Sequence, residues 1–131
     1  MIEGYDFPKV SYRARCTYVV DGDTVDLYVD LGFHAFRQER FRLYGIDTPE
    51  LRDRDLDKRE LAKEAKSAIF EMLQMDSAHP WHLRIETYRD PDSFGRWLAN
   101  IYTWEVLPGS AQEICINEKL IATGHAIPYT K

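Results

Sequence analysis

Acidic side chains are concentrated in two short segments of the sequence, each next to a stretch with strand-like composition. The segment VDGDTVD carries Asp21, Asp23 and Asp26, and the segment IDTPE carries Asp47 and Glu50. If the neighbouring strands pair, both segments can lie at one end of the sheet, where their carboxylates converge. Hard oxygen ligands in this number suit Ca²⁺ or Mg²⁺ better than zinc. The alternative explanation is local, because turns favour Asp and Gly, and DGDT taken alone is an ordinary turn.

Two arginines could bind a phosphate group near these carboxylates. Arg42 lies in the strand-like stretch FRL, and Arg96 directly follows a glycine in FGRW. The planar guanidinium group can hold two phosphate oxygens at once, which makes arginine better suited to this task than lysine. Each arginine also has an ordinary explanation. A strand arginine commonly extends to solvent, and an arginine after a turn can be one more exposed charge.

The elements that must position these residues begin with three predicted strands. Residues 10–20 are rich in β-branched and aromatic types, and TVDLYVDLGF alternates with period two. Residues 34–38 are predicted to be a connection. The third strand, ERFRLYGI at 39–46, ends at DTPE because proline cannot continue a central strand.

A helix is predicted to begin near Asp57, with Glu60 completing a capping box. Its apolar stripe is formed by Leu61, Ala65, Ala68, Ile69, Met72 and Leu73. Two further strands, residues 81–88 and RWLANIYTW, flank a turn at DPDSFG, and VLPGSAQE is predicted to be a loop. Residues 114–124 are predicted to form a short helix with Gly124 at its C-cap.

This order of elements favours a mainly β fold with two helices, in a single domain over residues 1–131. Five short strands with a helix after the third are typical of a five-stranded OB-type barrel. A short helix then lies near the C-terminus. An open α+β sheet is the structural alternative.

Three blocks, VDGDTVDL, FRLYGIDTPE and FGRWLANIY, occur in the order in which staphylococcal nuclease and its relatives carry them. The sequence resembles that family over most of residues 15–127. EAKSAIFEM (64–72) is similar to the family's first helix, and INEKLIATGHA (116–126) to its second. The resemblance implies a Ca²⁺-dependent nuclease. Such an enzyme hydrolyses DNA or RNA at the P–O5′ bond and leaves 3′-phosphate ends.

The resemblance also implies which residues hold the metal ion. Asp23 and Asp47 match the direct Ca²⁺ ligands of the family, and the main-chain carbonyl of Thr48 matches a third. Asp21 matches the acidic residue that holds the ion through a water molecule. All of these donors are oxygen atoms, as Ca²⁺ requires.

The remaining roles that the resemblance implies concern the phosphate and the base. Glu50 matches the residue assigned as general base, or as the group that positions the attacking water. Arg42 and Arg96 match the two arginines that hold the scissile phosphate. The family stacks the nucleotide base on tyrosines after the second helix, and here only Tyr129 is available, slightly out of register.

The overall charge of the chain argues against nucleic-acid binding. The chain has 131 residues, a formal net charge of −5 and a sequence pI near 5.3, whereas nucleic-acid binding normally draws on a basic surface. A carboxylate-rich metal site also gives an acidic composition. If DNA or RNA is the partner, the positive field must therefore be local, and binding of long nucleic acid should depend strongly on salt.

The cysteines and the hydropathy of the sequence predict the cellular compartment of the protein. Cys16 and Cys115 lie far apart in no metal-ligand spacing, which favours two free thiols in a reducing compartment. No signal peptide is visible, and no apolar stretch approaches the roughly 20 residues that cross a bilayer. These features predict a cytoplasmic protein that does not enter the membrane. The family's C-terminal helix has no counterpart before Lys131, so we expect a barrel that is stable without it, a partner chain in its place, or a sequence that is shorter than the natural chain.

Two competing functions remain open at this point. An EF-hand loop would place Asp53, Asp55, Asp57 and Glu64 at ligand positions, but Lys58 stands where the sharp turn requires glycine, which favours helix capping in a solvated loop. The nuclease fold also occurs as a non-catalytic module that binds nucleic acid or protein. Such copies have lost catalytic carboxylates or arginines, whereas this sequence keeps all of them, so an enzyme is favoured.

Overall fold

A computed structural model describes residues 10–74, 77–89 and 95–129 of the chain. The elements in these ranges are β1 Ser11–Asp21, β2 Thr24–Gly32, β3 Ala35–Leu43, β4 Ile46–Asp47, α1 Leu56–Met72, β5 Leu83–Arg89, β6 Arg96–Leu107, β7 Ser110–Cys115, α2 Ile116–Ala122 and β8 Ile127–Pro128. The turn predicted at DPDSFG lies almost wholly outside the described residues. Within them, no helix is both long enough and apolar enough to span a membrane.

Five of the strands close into a barrel. Antiparallel pairing gives the order β3-β2-β1-β5-β6, and a parallel pairing of β3 with β6 joins the two ends. In that seam Phe41 lies opposite Trp97, and Leu43 lies opposite Ala99. β7 extends the sheet from β6, while β4 and β8 form a separate two-stranded ladder. The predicted OB-type barrel with two helices is therefore confirmed, and the open sheet is wrong. That residues 1–131 form one domain stays a prediction.

The core fills the barrel and continues under the two helices. In β2 the predicted alternation is confirmed, since Val25, Leu27 and Val29 are buried, while Leu31 near the strand end is exposed. Alternate side chains of a strand point to opposite faces, so one face of β2 enters the barrel. The remaining large buried side chains include Leu43, Ile46, Ile69, Leu73, Leu83, Ile85, Ile101, Ile116 and Leu120.

The strand bounds differ from the prediction in two places. Residues 34–38 are not a connection but mostly part of β3, which continues the ladder with β2 up to the turn at Phe33 and His34. The predicted strand 39–46 is interrupted at Gly45, where a φ of +77° turns the chain between β3 and β4. The first difference arises because the hairpin pairing of β2 with β3 overrides local composition. The second arises because Gly45 adopts a left-handed conformation that ends the strand.

The segment VLPGSAQE is also not a loop. β6 runs on to Leu107 and β7 begins at Ser110, so the segment is largely a hairpin that turns at Gly109. Cross-strand hydrogen bonds with β6 hold these polar residues in a strand, although their composition has little β character.

The N-cap of α1 lies two residues before the predicted one. Asp55, not Asp57, is the N-cap, and its side chain accepts a hydrogen bond from the Asp57 N–H. Leu61 is 52% exposed, and Ala62 faces the core in its place. The buried positions Ala62, Ala65 and Ile69 then recur at helical spacing. α2 is shorter than predicted, and Gly124, with a φ of +82°, follows it as predicted for a helix end.

Candidate active site

Asp23 lies at the point where the turn between β1 and β2 meets the end of β3. It is 7% exposed. Its Oδ1 accepts a hydrogen bond from the Thr24 hydroxyl at 3.0 Å, and its Oδ2 accepts one from the Thr48 N–H at 3.2 Å. Its carbonyl accepts the Leu43 N–H at 2.8 Å. The first acidic segment is therefore tied to the second through Asp23, as the sequence predicts.

Gly22 allows the turn to lie directly on α1. A Cβ atom added to Gly22 would come within 2.8 Å of the Ala65 Cβ and within 3.0 Å of the Thr48 Oγ1. Gly22 has no left-handed φ, so glycine is required here for close approach and not for backbone conformation. The DGD segment thus has a tertiary role beyond the general preference of turns for these residue types.

The environment of the Asp23 carboxyl disfavours its ionised form. Burial, followed by the neighbouring Asp21 carboxyl, raises the pKa of Asp23 to about 6, although Arg42 and the Thr48 N–H act in the opposite direction. Asp21 also accepts the Asp23 N–H at 3.1 Å. A cation beside these oxygens would favour the ionised form, because it would offset both the burial and the like charge.

Arg42 connects the two acidic segments. Its Nη2 lies 3.2 Å from the Asp47 Oδ1 and 3.8 Å from the Asp23 Oδ2, and it donates to the Ile46 carbonyl at 3.2 Å. The Arg42 side chain is 17% exposed, so it does not extend freely into solvent. The guanidinium carbon lies 4.9 Å from the centroid of the Tyr129 ring. Tyr129 is therefore at the site, with one face of its ring next to Arg42.

Arg96 is brought to Arg42 by the parallel seam of the barrel. The register places Arg96 opposite Arg40 and Leu98 opposite Arg42. Because side chains alternate along a strand, Arg40, Arg42 and Arg96 share the outer face of the seam. Arg96 is half-buried. Arg40 pairs with Asp26 at 2.8 Å, and the sequence predicts a site role only for Arg42 and Arg96.

Glu50 lies at the exposed rim of the second acidic segment. Its carbonyl accepts the Asp53 N–H at 3.2 Å, which closes the turn that follows Pro49. The backbone of this turn is thus defined, and the Glu50 side chain is reached by solvent. An exposed carboxylate three residues after Asp47 can orient a water molecule at the mouth of the site.

The predicted metal ligands lie in one region, but their side chains are not arranged as a closed coordination site. Across residues 10–74, 77–89 and 95–129, no three His, Cys, Asp or Glu side chains are placed to hold a metal. Asp23 and Asp47 instead both face the Arg42 guanidinium. The donors are oxygens, so they fit Ca²⁺ in kind. The Asp47 side chain is half exposed and has room to turn toward an ion.

The EF-hand alternative is wrong. Residues 56–64 of that loop are helical in α1. Asp53 and Asp55 accept hydrogen bonds from the N–H groups two residues ahead, which is local turn and capping geometry.

Sequence reasoning missed two residues that belong to this region. Tyr44 is 50% exposed, and its ring centroid lies 5.0 Å from that of Tyr88. The buried Asn117 donates to the carbonyls of Tyr44 and Ala99, both at 3.0 Å, and accepts the Ile101 N–H at 3.0 Å. Tyr44 could have been found from its position two residues after Arg42 on the same strand face. Asn117 had no local signal, because its three partners lie in distant segments.

Comparison with known proteins agrees with the fold. A family model described as staphylococcal nuclease homologue matches residues 40–131. The match includes Arg42, Asp47, Glu50 and Arg96 and begins after the turn that carries Asp23. A search of curated proteins found no match. Because the family model covers more than half of the chain and the fold is the closed barrel with two helices, the chain belongs to the family of staphylococcal nuclease homologues.

Proposed function

We propose that the protein is a Ca²⁺-dependent nuclease that hydrolyses DNA or RNA at the P–O5′ bond and leaves 3′-phosphate ends. One observation carries the proposal. The Arg42 guanidinium contacts Asp47 and lies near Asp23, so a phosphate-binding group and two metal-ligand candidates meet at one point. Family membership supports the same reaction class, and the geometry supplies residues for it.

The two arginines would hold the phosphate. Phosphodiester hydrolysis builds negative charge on the oxygens of a five-coordinate phosphorus, and fixed guanidinium groups stabilise that charge. Arg42 is held by the Ile46 carbonyl, so part of its position is set before a substrate arrives. Arg96 lies on the same outer face, about 7 Å farther along the strand direction. Together they can contact different oxygens of one phosphate group.

The metal site would be formed by Asp23, Asp47 and the Thr48 carbonyl, with Asp21 acting through water. When bound, Ca²⁺ supplies positive charge next to the phosphate and the attacking water. Arg42 is compensated by the same carboxylates in the structure. Arg42 can turn to a phosphate at low free-energy cost only when another cation neutralises the two carboxylates. Phosphate binding would therefore be coupled to Ca²⁺ binding.

Glu50 would act on the attacking water. It is exposed at the rim next to Asp47 and Thr48, where a carboxylate can orient a water molecule or take its proton. Solvent access lets that proton leave the site after each turnover.

The expected partner is single-stranded or flexible nucleic acid. The net charge of −5 gives no general attraction for a phosphate backbone, so binding would depend on the arginines at the barrel seam. A cytoplasmic location also stays a proposal from the sequence.

The test is a cleavage assay on single-stranded DNA and RNA, with Ca²⁺ or with chelator. We expect cleavage only with Ca²⁺, and 3′-phosphate products. Glu50→Gln should lower the rate on the order of a hundredfold or more, because it removes the base but keeps the shape. Glu60→Gln, at an exposed position of α1, is the matched control and should leave the rate unchanged.

Intact substrate in both conditions, with the barrel folded, would contradict the proposal. If the intact substrate is nevertheless bound, the protein is a non-catalytic binding module of the same family. Near-normal activity of Glu50→Gln would instead remove Glu50 from the mechanism.

A further inference from the structure

The outer face of the barrel next to Arg42 carries aromatic side chains that the proposed mechanism does not use. The register places Arg42, Leu98 and Tyr88 in one row across β3, β6 and β5. Tyr44 follows Arg42 by two residues and lies diagonally across from Tyr88, with ring centroids 5.0 Å apart and planes tilted by 35°. The two tyrosines therefore form a continuous aromatic surface beside the arginine.

The backbone that carries Tyr44 is fixed on both sides. Its N–H donates to the Ala99 carbonyl at 2.8 Å, and its carbonyl accepts the Asn117 side-chain amide at 3.0 Å. The Tyr88 hydroxyl accepts a hydrogen bond from Asn100 at 3.3 Å. A ring that is already held in place loses little conformational freedom when a ligand stacks on it, so little of the binding free energy is spent on ordering it.

Tyr44 nevertheless remains half exposed, next to a cationic group. Single-stranded nucleic acid combines anionic phosphates with flat bases, and proteins that bind it pair basic residues with exposed aromatic rings. Arg42 lies near the end of β3, and Tyr44 follows it by two residues in the turn at Gly45, so the two residues are at most about 7 Å apart along the chain. That spacing offers a cation for a phosphate and a ring for the adjoining base.

Tyr129 is less suited to this role. One face of its ring is next to the Arg42 guanidinium, 4.9 Å from the centroid. A base would have to compete with that contact, whereas Tyr44 makes its ring contact with Tyr88 alone among the described ring pairs.

We propose that Tyr44, supported by Tyr88, is a stacking site for a base of single-stranded DNA or RNA whose phosphate lies at Arg42. The proposal rests on the proposed function for the position of that phosphate. Stacking accepts every base, because each has a flat π-face. The site would therefore strengthen binding without adding sequence preference.

The experiment compares two fluorescent probes of equal length and charge, an oligothymidylate and an abasic strand. Binding is measured by anisotropy with Ca²⁺ in the Glu50→Gln background, which slows cleavage and keeps the tyrosines and arginines. Tyr44→Ala should weaken binding of the oligothymidylate tenfold or more and leave the abasic strand unchanged. Tyr44→Phe and Tyr44→Trp should bind both probes as the parent does.

Two further variants distinguish a loss of stacking from a loss of folding and from a loss of side-chain volume. Tyr44→Leu keeps apolar volume without a π-face, so it should behave like Tyr44→Ala, and it serves if Tyr44→Ala does not fold. Trp104→Ala removes an aromatic ring that is 53% exposed farther along β6, and it should change neither affinity.

Equal losses for the two probes, or full affinity in Tyr44→Leu, would overturn the stacking site. So would a parent protein that binds neither probe. If the protein with Glu50 intact never cleaves, but binding still depends on an aromatic ring at position 44, then the nuclease proposal fails and the stacking site stands.

Discussion

Arg42 is the residue through which the two acidic segments of the site interact. Its Nη2 atom lies near carboxylate oxygens of both Asp23 and Asp47, and the Tyr129 ring lies against the guanidinium group. Partial burial strengthens each of these interactions, because solvent screens them less. The planar guanidinium group also offers several donors in a fixed geometry, so we expect its shape to matter as well as its charge.

Arg42→Lys tests that conclusion. Lysine keeps the positive charge but cannot bind two oxygens in one plane. We expect a fall in kcat/KM on the order of a hundredfold or more, measured with single-stranded DNA and Ca²⁺. Arg37→Lys, on the same strand at an exposed position paired with Glu39, is the matched control and should stay near the parent rate. Equal rates for all three proteins would show that Arg42 acts only through its charge.

Asp23 permits a test of metal binding that does not depend on activity. If Asp23 is a ligand, Ca²⁺ should raise the thermal unfolding midpoint of the parent protein, because a ligand that binds only the folded state stabilises it. At about 100 times its dissociation constant the gain is about 2.7 kcal/mol. In Asp23→Asn the shift should be largely lost.

Asp30→Asn is the control for that experiment. Asp30 lies near the far end of β2, beside Arg13, and asparagine keeps the side-chain oxygen that accepts the Gly32 N–H. Its Ca²⁺-induced shift should match that of the parent. A full shift in Asp23→Asn would exclude Asp23 from the ligand set.

At the scale of elements, the site depends on how the turn between β1 and β2 lies against α1. The turn has no room for a side chain at Gly22, because the Ala65 methyl group and Thr48 are next to it. Asp21 and Asp23 flank that glycine, so the contact with the helix sets the positions of both carboxylates. A turn and a helix that are separated in sequence thus position two candidate metal ligands together.

Gly22→Ala should destabilise the fold by about 1–3 kcal/mol, as expected for overpacking. It should also lower activity, since the turn must move. Ala65→Gly removes the closest clashing atom but costs about 1 kcal/mol of helix propensity by itself. The double variant should therefore lose less stability than the sum of the two single variants, as measured by chemical unfolding. Strict additivity would mean that the Thr48 contact, and not Ala65, limits this position.

For the whole molecule, closure of the barrel brings the two candidate phosphate-binding arginines to one face. The parallel pairing of β3 with β6 places Arg96 on the same outer face as Arg42. The net charge of the chain is −5, so the basic seam is a local feature of an acidic protein. Closure also buries the inner faces of all five strands, including Cys16 on β1.

The chemical reactivity of the Cys16 thiol provides a test of that closure. Burial raises the pKa of Cys16 to about 11, so only about one thiol in a thousand is ionised at pH 8. In a Cys115→Ser background, Ellman's reagent at pH 8 should modify Cys16 only as fast as the barrel opens. Its rate should rise with denaturant in parallel with global unfolding. Modification at the rate of a free thiol in native buffer would show that the barrel opens locally at β1.

Several features of the protein followed from sequence alone. The period-two pattern of β2 predicts which side chains enter the barrel, and FRLYGIDTPE with its companion blocks indicates the family. The nature of the candidate ligands is also local information, because carboxylate and carbonyl oxygens define the class of cation they can bind. These inferences depend on side-chain chemistry and on short-range periodicity, both of which can be read without a fold.

Other features were decided only by tertiary structure. Composition suggests a connection at residues 34–38, yet pairing with β2 makes most of it strand. Asp55 caps α1 in place of Asp57. Tyr44 meets Tyr88 through two strand pairings that no local pattern reveals. Arg42 turns to Asp23 and Asp47 and not to solvent. The Asp55 cap is a local choice between two nearby aspartates. The other three features share a physical reason, because each is selected by the free energy of long-range pairing and packing, and local preferences are too weak to oppose it.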